Sequence, residues 1–468
     1  MTNFVMTIDG AAVAGEKTFG VINPPTGSVF AEAPDCSKPQ LDSAMDAAGR
    51  AFKTWKQDEN RRRGALRDCA TALKARAPEL AEVLTKEQGK PLKNAVAEIN
   101  SAAAYFENTA ELQIPAEVLK DDERQRIELR RKPFGVVAAI TPWNFPVVLA
   151  VWKIAPALLA GNTVILKPSP FTPLSSLVLG EILSGVLPRG VFNVVSGGDE
   201  LGAWITAHPA VRKISFTGSV ATGKRIAATA APDLKRVTLE LGGNDPAIVL
   251  KDVDVKKVAK SLFWSAFSNT GQVCTAVKRL YVEEDIYTTL LDEMAGVAAG
   301  AKVGDGMNPA TRLGPINNRP QFERVIDLVE DAKKAGARIV TGGQRLGDVG
   351  YFYPPTIVAD ISDGARLVDE EQFGPALPIM PFKNIDDAIE RANRTHFGLG
   401  GSVWTGDAAR GAEIASQLDC GTGWVNHHTD ITNFAPFGGV KWSGIGYEQG
   451  PWGLAAFTQY QVINVLKS

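Results

Sequence analysis

Cys274 stands in the run SNTGQVCTA, a glycine-containing turn ahead of a strand-like segment. A thiol in such a turn can be open to reagents and have its thiolate stabilised by nearby backbone N–H groups. The bland alternative is an inert small hydrophobe, the usual state of a single cysteine. Glu240 closes the apolar run RVTLELGG beside paired glycines, where a carboxylate is costly unless it has partners or a task. Asn144, in TPWNFP, lies between Trp143 and Phe145 with a proline beyond each. That is a rigid frame for an amide donor, and equally a setting in which asparagine forms turns. On a dinucleotide-binding sheet, these three residue types would make one coherent reaction. A thiolate adds to an aldehyde carbonyl, an amide N–H holds the oxyanion, and hydride leaves for a nicotinamide, so that a thioester remains. A carboxylate acting as general base then activates the water that hydrolyses it.

The elements that would position these residues are short apolar runs bounded by turn residues: GVVAAI (135–140), NTVILKPS (162–169), VFNVVSG (191–197), KISFTGS (213–219) and RVTLELGG (236–243). Such continuous runs are typical of strands buried on both faces. Helical patterns such as SSLVLGEILSGV (175–186) and GKRIAATAA (223–231) separate them, which predicts a doubly wound parallel sheet. FTGSVATGKRI, 216–226, lies where a strand turns into a helix and nearly matches a triphosphate loop, G-x-x-x-x-G-K-[ST], but Arg225 replaces the hydroxyl that would hold Mg²⁺. Glycines and a helix N-terminus there still suit a phosphate. Alanine-rich helical periodicity fills 38–108, with a helix that stops at Pro91. A charged, alternating stretch at 122–135 predicts an exposed hairpin open to pairing with another subunit, and the apolar tail would be stable only if paired. After Gly243 a second α/β pattern begins with DPAIVL.

Length and composition (468 residues, 45% hydrophobic, 22% charged) describe a multidomain globular protein. Fifty basic residues against 52 acidic ones exclude a global field for nucleic acid or an anionic membrane, and Arg61-Arg62-Arg63 reads as a solvated helix face. The apolar stretch 145–161 is broken by Lys153 and Pro156 and is too short to span a bilayer. No secretory pattern opens the sequence, and the four cysteines are far apart, so a reducing, cytoplasmic setting is expected. There is no G-x-S-x-G or H-E-x-x-H, and only four histidines are present; no metal site is expected.

At this point TPWNFP, ALLAGNTVILKPS, FTGS, LELGGNDP, GQVCTA, EEQFGP and PFGGVKWSGIG, in this order, carry a specific resemblance. Over essentially its whole length the chain resembles the aldehyde dehydrogenase superfamily. The resemblance implies Cys274 as nucleophile, Glu240 as general base, Asn144 with the Cys274 backbone N–H as oxyanion hole, and Lys153 with Glu448 as a proton relay. It implies a dinucleotide held by Ile140, Pro142, Trp143, Lys167, Ser169, Gly218, Ser219, Gly223, Leu241, Glu371 and Phe373. Lys167 and Glu371 would hold ribose hydroxyls, and Phe373 would pack near the nicotinamide ribose. Phe145, Trp152 and Phe437 match pocket aromatics and imply an apolar or aromatic aldehyde. The implied fold is a Rossmann-like doubly wound dinucleotide-binding domain (1–110 and 134–242), an α/β catalytic domain (243–440) and a small β oligomerisation element (111–133 and 441–468). A homodimer or homotetramer follows from the same likeness.

Two features depart from the pattern or stay open. Pro170 stands where NAD-preferring members often carry a glutamate that repels a 2′-phosphate, so NAD and NADP both remain. Glu240 argues for hydrolysis of the thioester and against its transfer to coenzyme A. His427 and His428 fall in a loop expected near the pocket mouth, where they could tune substrate choice. A semialdehyde dehydrogenase of the same mechanism is the alternative within the family. A P-loop phosphotransferase and a non-catalytic dinucleotide-binding protein are the competing classes outside that activity.

Overall fold

A computed structural model of the chain describes residues 4–467. Five of the apolar runs form parallel strands in the spatial order Arg236–Glu240, Val211–Thr217, Val136–Ile140, Thr163–Lys167, Phe192–Val194. The chain moves outward from Val136–Ile140 through Thr163–Lys167 to Phe192–Val194, then returns to build the other half from Val211–Thr217. The reversal lies between Val136–Ile140 and Val211–Thr217, and open parallel sheets bind ligands in the crevice beyond the strand ends at such a point. TPWNFP follows one of these strands and Gly218-Ser219 the other. Antiparallel pieces, Gly444–Ile445 at one edge and the hairpin Met6–Ile8 with Ala11–Val13 at the other, complete eight strands.

The helix Pro146–Leu159 is apolar on nearly every face because nearly every face is buried: it packs beneath the sheet, Lys153 within it is 0% exposed, and only Val148 and Trp152 are half-buried. No described helix is long and apolar enough to cross a membrane. The N-terminal helical region is four helices, Lys38–Trp55, Glu59–Ala75, Ala77–Gln88 and Leu92–Glu111. The third stops before Pro91, at Gly89 (φ 97°), where an added Cβ would come within 2.9 Å of Pro315. Arg62 corrects the reading of a solvated basic face. It is buried, and its guanidinium donates to Leu159 O, Trp55 O and Lys56 O, satisfying free carbonyls at the ends of two helices.

The second sheet has seven strands, ordered Arg338–Thr341, Thr356–Ala359, Ala376–Phe382, Val277–Glu283, Asp245–Val249, Gly400–Trp404, Thr422–Val425; only the first is antiparallel to its neighbour. Separate apolar clusters line its two faces. The apolar tail, Thr458–Leu466, finds its partner within the chain. It pairs with Gln125–Pro133, which pairs in turn with Glu117–Asp121. This three-stranded sheet keeps two open edges among the described residues and exposes Val118, Leu119, Tyr460, Val462 and Leu466.

Candidate active site

Two cavities meet at Cys274. The larger, about 1070 Å³, is walled by Pro142, Trp143, Gly218, Ser219, Leu241, Glu371 and Phe373. The smaller, about 610 Å³, is walled by Phe145, Trp152, Glu240, Val273, Phe437 and Glu448. Leu149, Thr217, Leu241 and Cys274 border both.

The segment before Cys274 is held by backbone that few residues adopt. Asn269 and Thr270 have φ of 50° and 60°, and a Cβ on Gly271 (φ 72°) would lie 2.2 Å from Gly374 O. Lys278, one turn of strand further on, donates to Cys274 O at 2.6 Å and Val273 O at 2.9 Å. The electrostatics of the site favour the thiol over the stabilised thiolate that the turn allows. Burial pushes it up to about 12 against the attraction of Lys278, and Asp245, Glu240 and Glu371 push the same way. Cys274 is nonetheless half-buried rather than enclosed, because the cavities reach it.

Asn144 is framed as its sequence implies. Among the described residues its Nδ2 donates only to Gln272 O, at 3.0 Å, leaving a second N–H uncommitted, and its backbone carbonyl accepts from Lys90 Nζ at 2.9 Å and Asn269 Nδ2 at 3.2 Å. Lys90 pairs with buried Glu98, whose Oε1 accepts the N–H groups of Val147 and Val148 at the start of the helix Pro146–Leu159. Among the described residues, Glu240 has no hydrogen-bond partner on either oxygen. Burial raises it well above the usual carboxylate range, Glu448 raises it further, and Lys153 opposes both. Lys153 Nζ donates to Glu448 Oε1 at 2.5 Å and Thr217 Oγ1 at 2.7 Å.

The residues assigned to a dinucleotide divide. Pro142, Trp143, Gly218, Ser219, Leu241, Glu371 and Phe373 border the larger cavity, with Trp143 and Phe373 edge to face at 5.3 Å. Ile140, Lys167, Ser169 and Gly223 do not border it. The turn after Thr217 is shorter than expected: Ser219 caps a helix already begun at Val220, so Gly223 lies a turn inside it, where a Cβ would meet Leu241 at 2.6 Å. Lys167 is buried at its strand end and donates to Pro168 O; burial brings it down to about 8, while Asp199 and Asp35 pull it up. Glu371 Oε1 accepts from Gly243 N at 3.0 Å and stands 3.5 Å from Lys278 Nζ. The helix start, the carboxylate and the aromatic pair fit the phosphate, hydroxyl and ring parts of a nicotinamide dinucleotide. Phe145, Trp152 and Phe437 border the smaller cavity, the last two edge to face at 6.0 Å. Neither His427 nor His428 borders it; the following Thr429, Asp430, Ile431 and Asn433 do.

Lys90, Glu98 and Lys278 were missed from sequence. The faint signal was charge inside otherwise apolar segments, and only burial separates such residues from solvated ones.

The model of the aldehyde dehydrogenase family matches residues 12–463. The chain belongs to the aldehyde dehydrogenase family. It is 41% identical over 452 residues to the peroxisomal aminoaldehyde dehydrogenase 1 of Pisum sativum, covering 92% of this chain and 89% of that one. It is 38% identical to human retinaldehyde dehydrogenase 3, over 96% of this chain and 90% of that one. The solved NAD+ complex of a Bacillus cereus aldehyde dehydrogenase superposes with a TM-score of 0.98 at 35% identity, covering 100% of this chain and 97% of that one. Within the family frame, Asn144→Ala should lower kcat by about 10²–10³-fold, the usual cost of one oxyanion donor. Steady-state kinetics with the folded variant would check this; a loss below threefold would remove Asn144 from the oxyanion site.

Proposed function

We propose that the chain oxidises an aldehyde to its carboxylic acid with NAD as hydride acceptor, through a thioester on Cys274 that water hydrolyses. The observation that carries this reading is Cys274 at the junction of the two cavities, with Asn144 and Glu240 beside it. A dinucleotide bound in the larger cavity supplies the acceptor for the hydride of the tetrahedral adduct. Cys274 Sγ, ionised to the thiolate with its proton released to water, bonds to the aldehyde carbon; the second N–H of Asn144 and the Cys274 backbone N–H hold the oxygen. Glu240 then takes a proton from water as that water attacks the thioester, and the Cys274 sulfur leaves with the acid released. The Lys153–Glu448 pair passes that proton onward.

Three aromatic side chains in the smaller cavity support an apolar or aromatic aldehyde. A second reading, an aldehyde bearing an amino group, is favoured by Asp430 and Asn433 on the same wall and by the aminoaldehyde relative. Turnover is expected by reduced-nicotinamide absorbance with NAD over aliphatic, aromatic and ω-amino aldehydes, and the ratio of kcat/KM values separates the two substrate readings. Absence of turnover with every aldehyde, under NAD and NADP alike, would overturn the reading. All four cysteines are free, which supports a reducing, cytosolic setting. The open-edged sheet of 117–133 and 458–466 supports an oligomeric enzyme, with 111–133 and 441–468 as the joining element.

A further inference from the structure

The adjacent histidines part company in the structure. His427 is half-exposed, whereas the side chain of His428 is 0% exposed. The ring of His428 lies against Trp424, centroids 4.7 Å apart. Its Nε2 is 3.7 Å from Oδ2 of Asp245, whose side chain is also 0% exposed. Among the described residues, both ring nitrogens and both carboxylate oxygens lack a hydrogen-bond partner. Unpartnered buried polar groups are rare because each forfeits its hydration; at 3.7 Å the ring nitrogen and the carboxylate stand a few tenths of an ångström beyond hydrogen-bond reach, so a small shift of the ring would let one satisfy the other. Gly400 makes the room, since a Cβ there would lie 2.5 Å from the Trp424 ring and 2.6 Å from Asp245 Oδ2.

Three segments of the site converge here. Asp245 ends the stretch that begins with Glu240, and a Cβ on Gly243 would lie 2.7 Å from both Asp245 Oδ1 and Cys274 O. His428 opens the loop whose Thr429, Asp430, Ile431, Asn433 and Phe437 wall the smaller cavity. Trp424, beneath its ring, donates Nε1–H to Asp430 O at 3.0 Å. We propose that His428 and Asp245 are a positioning pair for the aldehyde site: His428 Nε2–H donates to the Asp245 carboxylate and seats the loop 429–437 against the segments carrying Glu240 and Cys274. The pair thereby shapes the aldehyde cavity without touching the aldehyde. This rests on the reading of the smaller cavity as the aldehyde site.

His428→Phe keeps a ring on Trp424 and removes the donor; Asp245→Asn removes the carboxylate charge. His428→Phe is expected to raise the aldehyde KM at least tenfold with the KM for NAD within twofold. Adding Asp245→Asn should recover most of that loss and of the loss in Tm, because removing one partner of a buried pair costs more than removing both. An unchanged aldehyde KM in His428→Phe, or losses that simply multiply in the double variant, would overturn the pair. Should His428→Phe fail to fold, the ring ¹⁵N shifts of His428 in the unaltered protein decide: a proton on Nε2 is expected, and an Nδ1–H tautomer overturns the proposal. If the unaltered protein oxidises no aldehyde, the functional reading falls, while the ¹⁵N shifts and the Tm coupling still test the contact.

Discussion

Cys274→Ser and Cys274→Ala variants should lose aldehyde oxidation by on the order of 10⁴-fold or more while still binding the dinucleotide, because alanine offers no nucleophile and the serine hydroxyl is a far weaker one than a thiolate. The unaltered thiol carries a second expectation. With burial holding Cys274 up to about 12, the thiolate fraction in the free enzyme is small at neutral pH and grows with each unit of alkalinity. Only the thiolate is alkylated, so the rate of iodoacetamide inactivation should climb about tenfold per pH unit between neutrality and pH 9. A flat profile would mean that the thiolate is already formed at rest, contrary to the geometry of the site. Retention of turnover in Cys274→Ala would remove the cysteine mechanism altogether.

On the proposed mechanism, Glu240→Gln should separate the two halves of the reaction. Glutamine keeps the shape but cannot accept a proton, so oxidation proceeds once, the thioester accumulates, and kcat falls by about 10²–10⁴-fold. The expected signature is a burst of reduced nicotinamide equal to the number of active sites, with the acyl group found on Cys274 by mass spectrometry. Steady turnover within a few-fold of the unaltered enzyme would dismiss Glu240 as the base. The pH dependence has a definite sign. Burial and the neighbouring Glu448 favour the protonated carboxyl of Glu240; the working base therefore appears as pH rises, and hydrolysis should quicken on that limb. Glu448→Gln removes the repelling carboxylate, lowers the cost of charging Glu240, and should move the limb to lower pH. Movement the other way would place another group in that role.

The parallel strands of the first sheet, the second α/β unit and the strand-to-helix turn at Gly218 were legible in the sequence because their signals are local: an apolar run, a glycine, a helix start. The chemistry of Cys274, Glu240 and Asn144 was legible for a related reason. Thiol, carboxylate and amide in glycine- or proline-bounded settings each had a bland reading when taken singly, and only the three together, with the family resemblance, pointed to one reaction. Gly223 shows where local reading ends, since the same glycine suits a phosphate turn or a helix packed on Leu241, and only the third dimension chooses.

By itself the sequence determined the order of elements, the reactive groups and the kind of reaction they can perform. Tertiary structure alone decided that burial favours the thiol form of Cys274, that Arg62 is buried, that Lys90 and Glu98 brace Asn144, and that His428 stands beside Asp245 rather than at the cavity. The physical reason is common to all four. Charge state and partner choice depend on desolvation and on side chains distant along the chain, and neither is encoded in the few residues on either side of the group concerned.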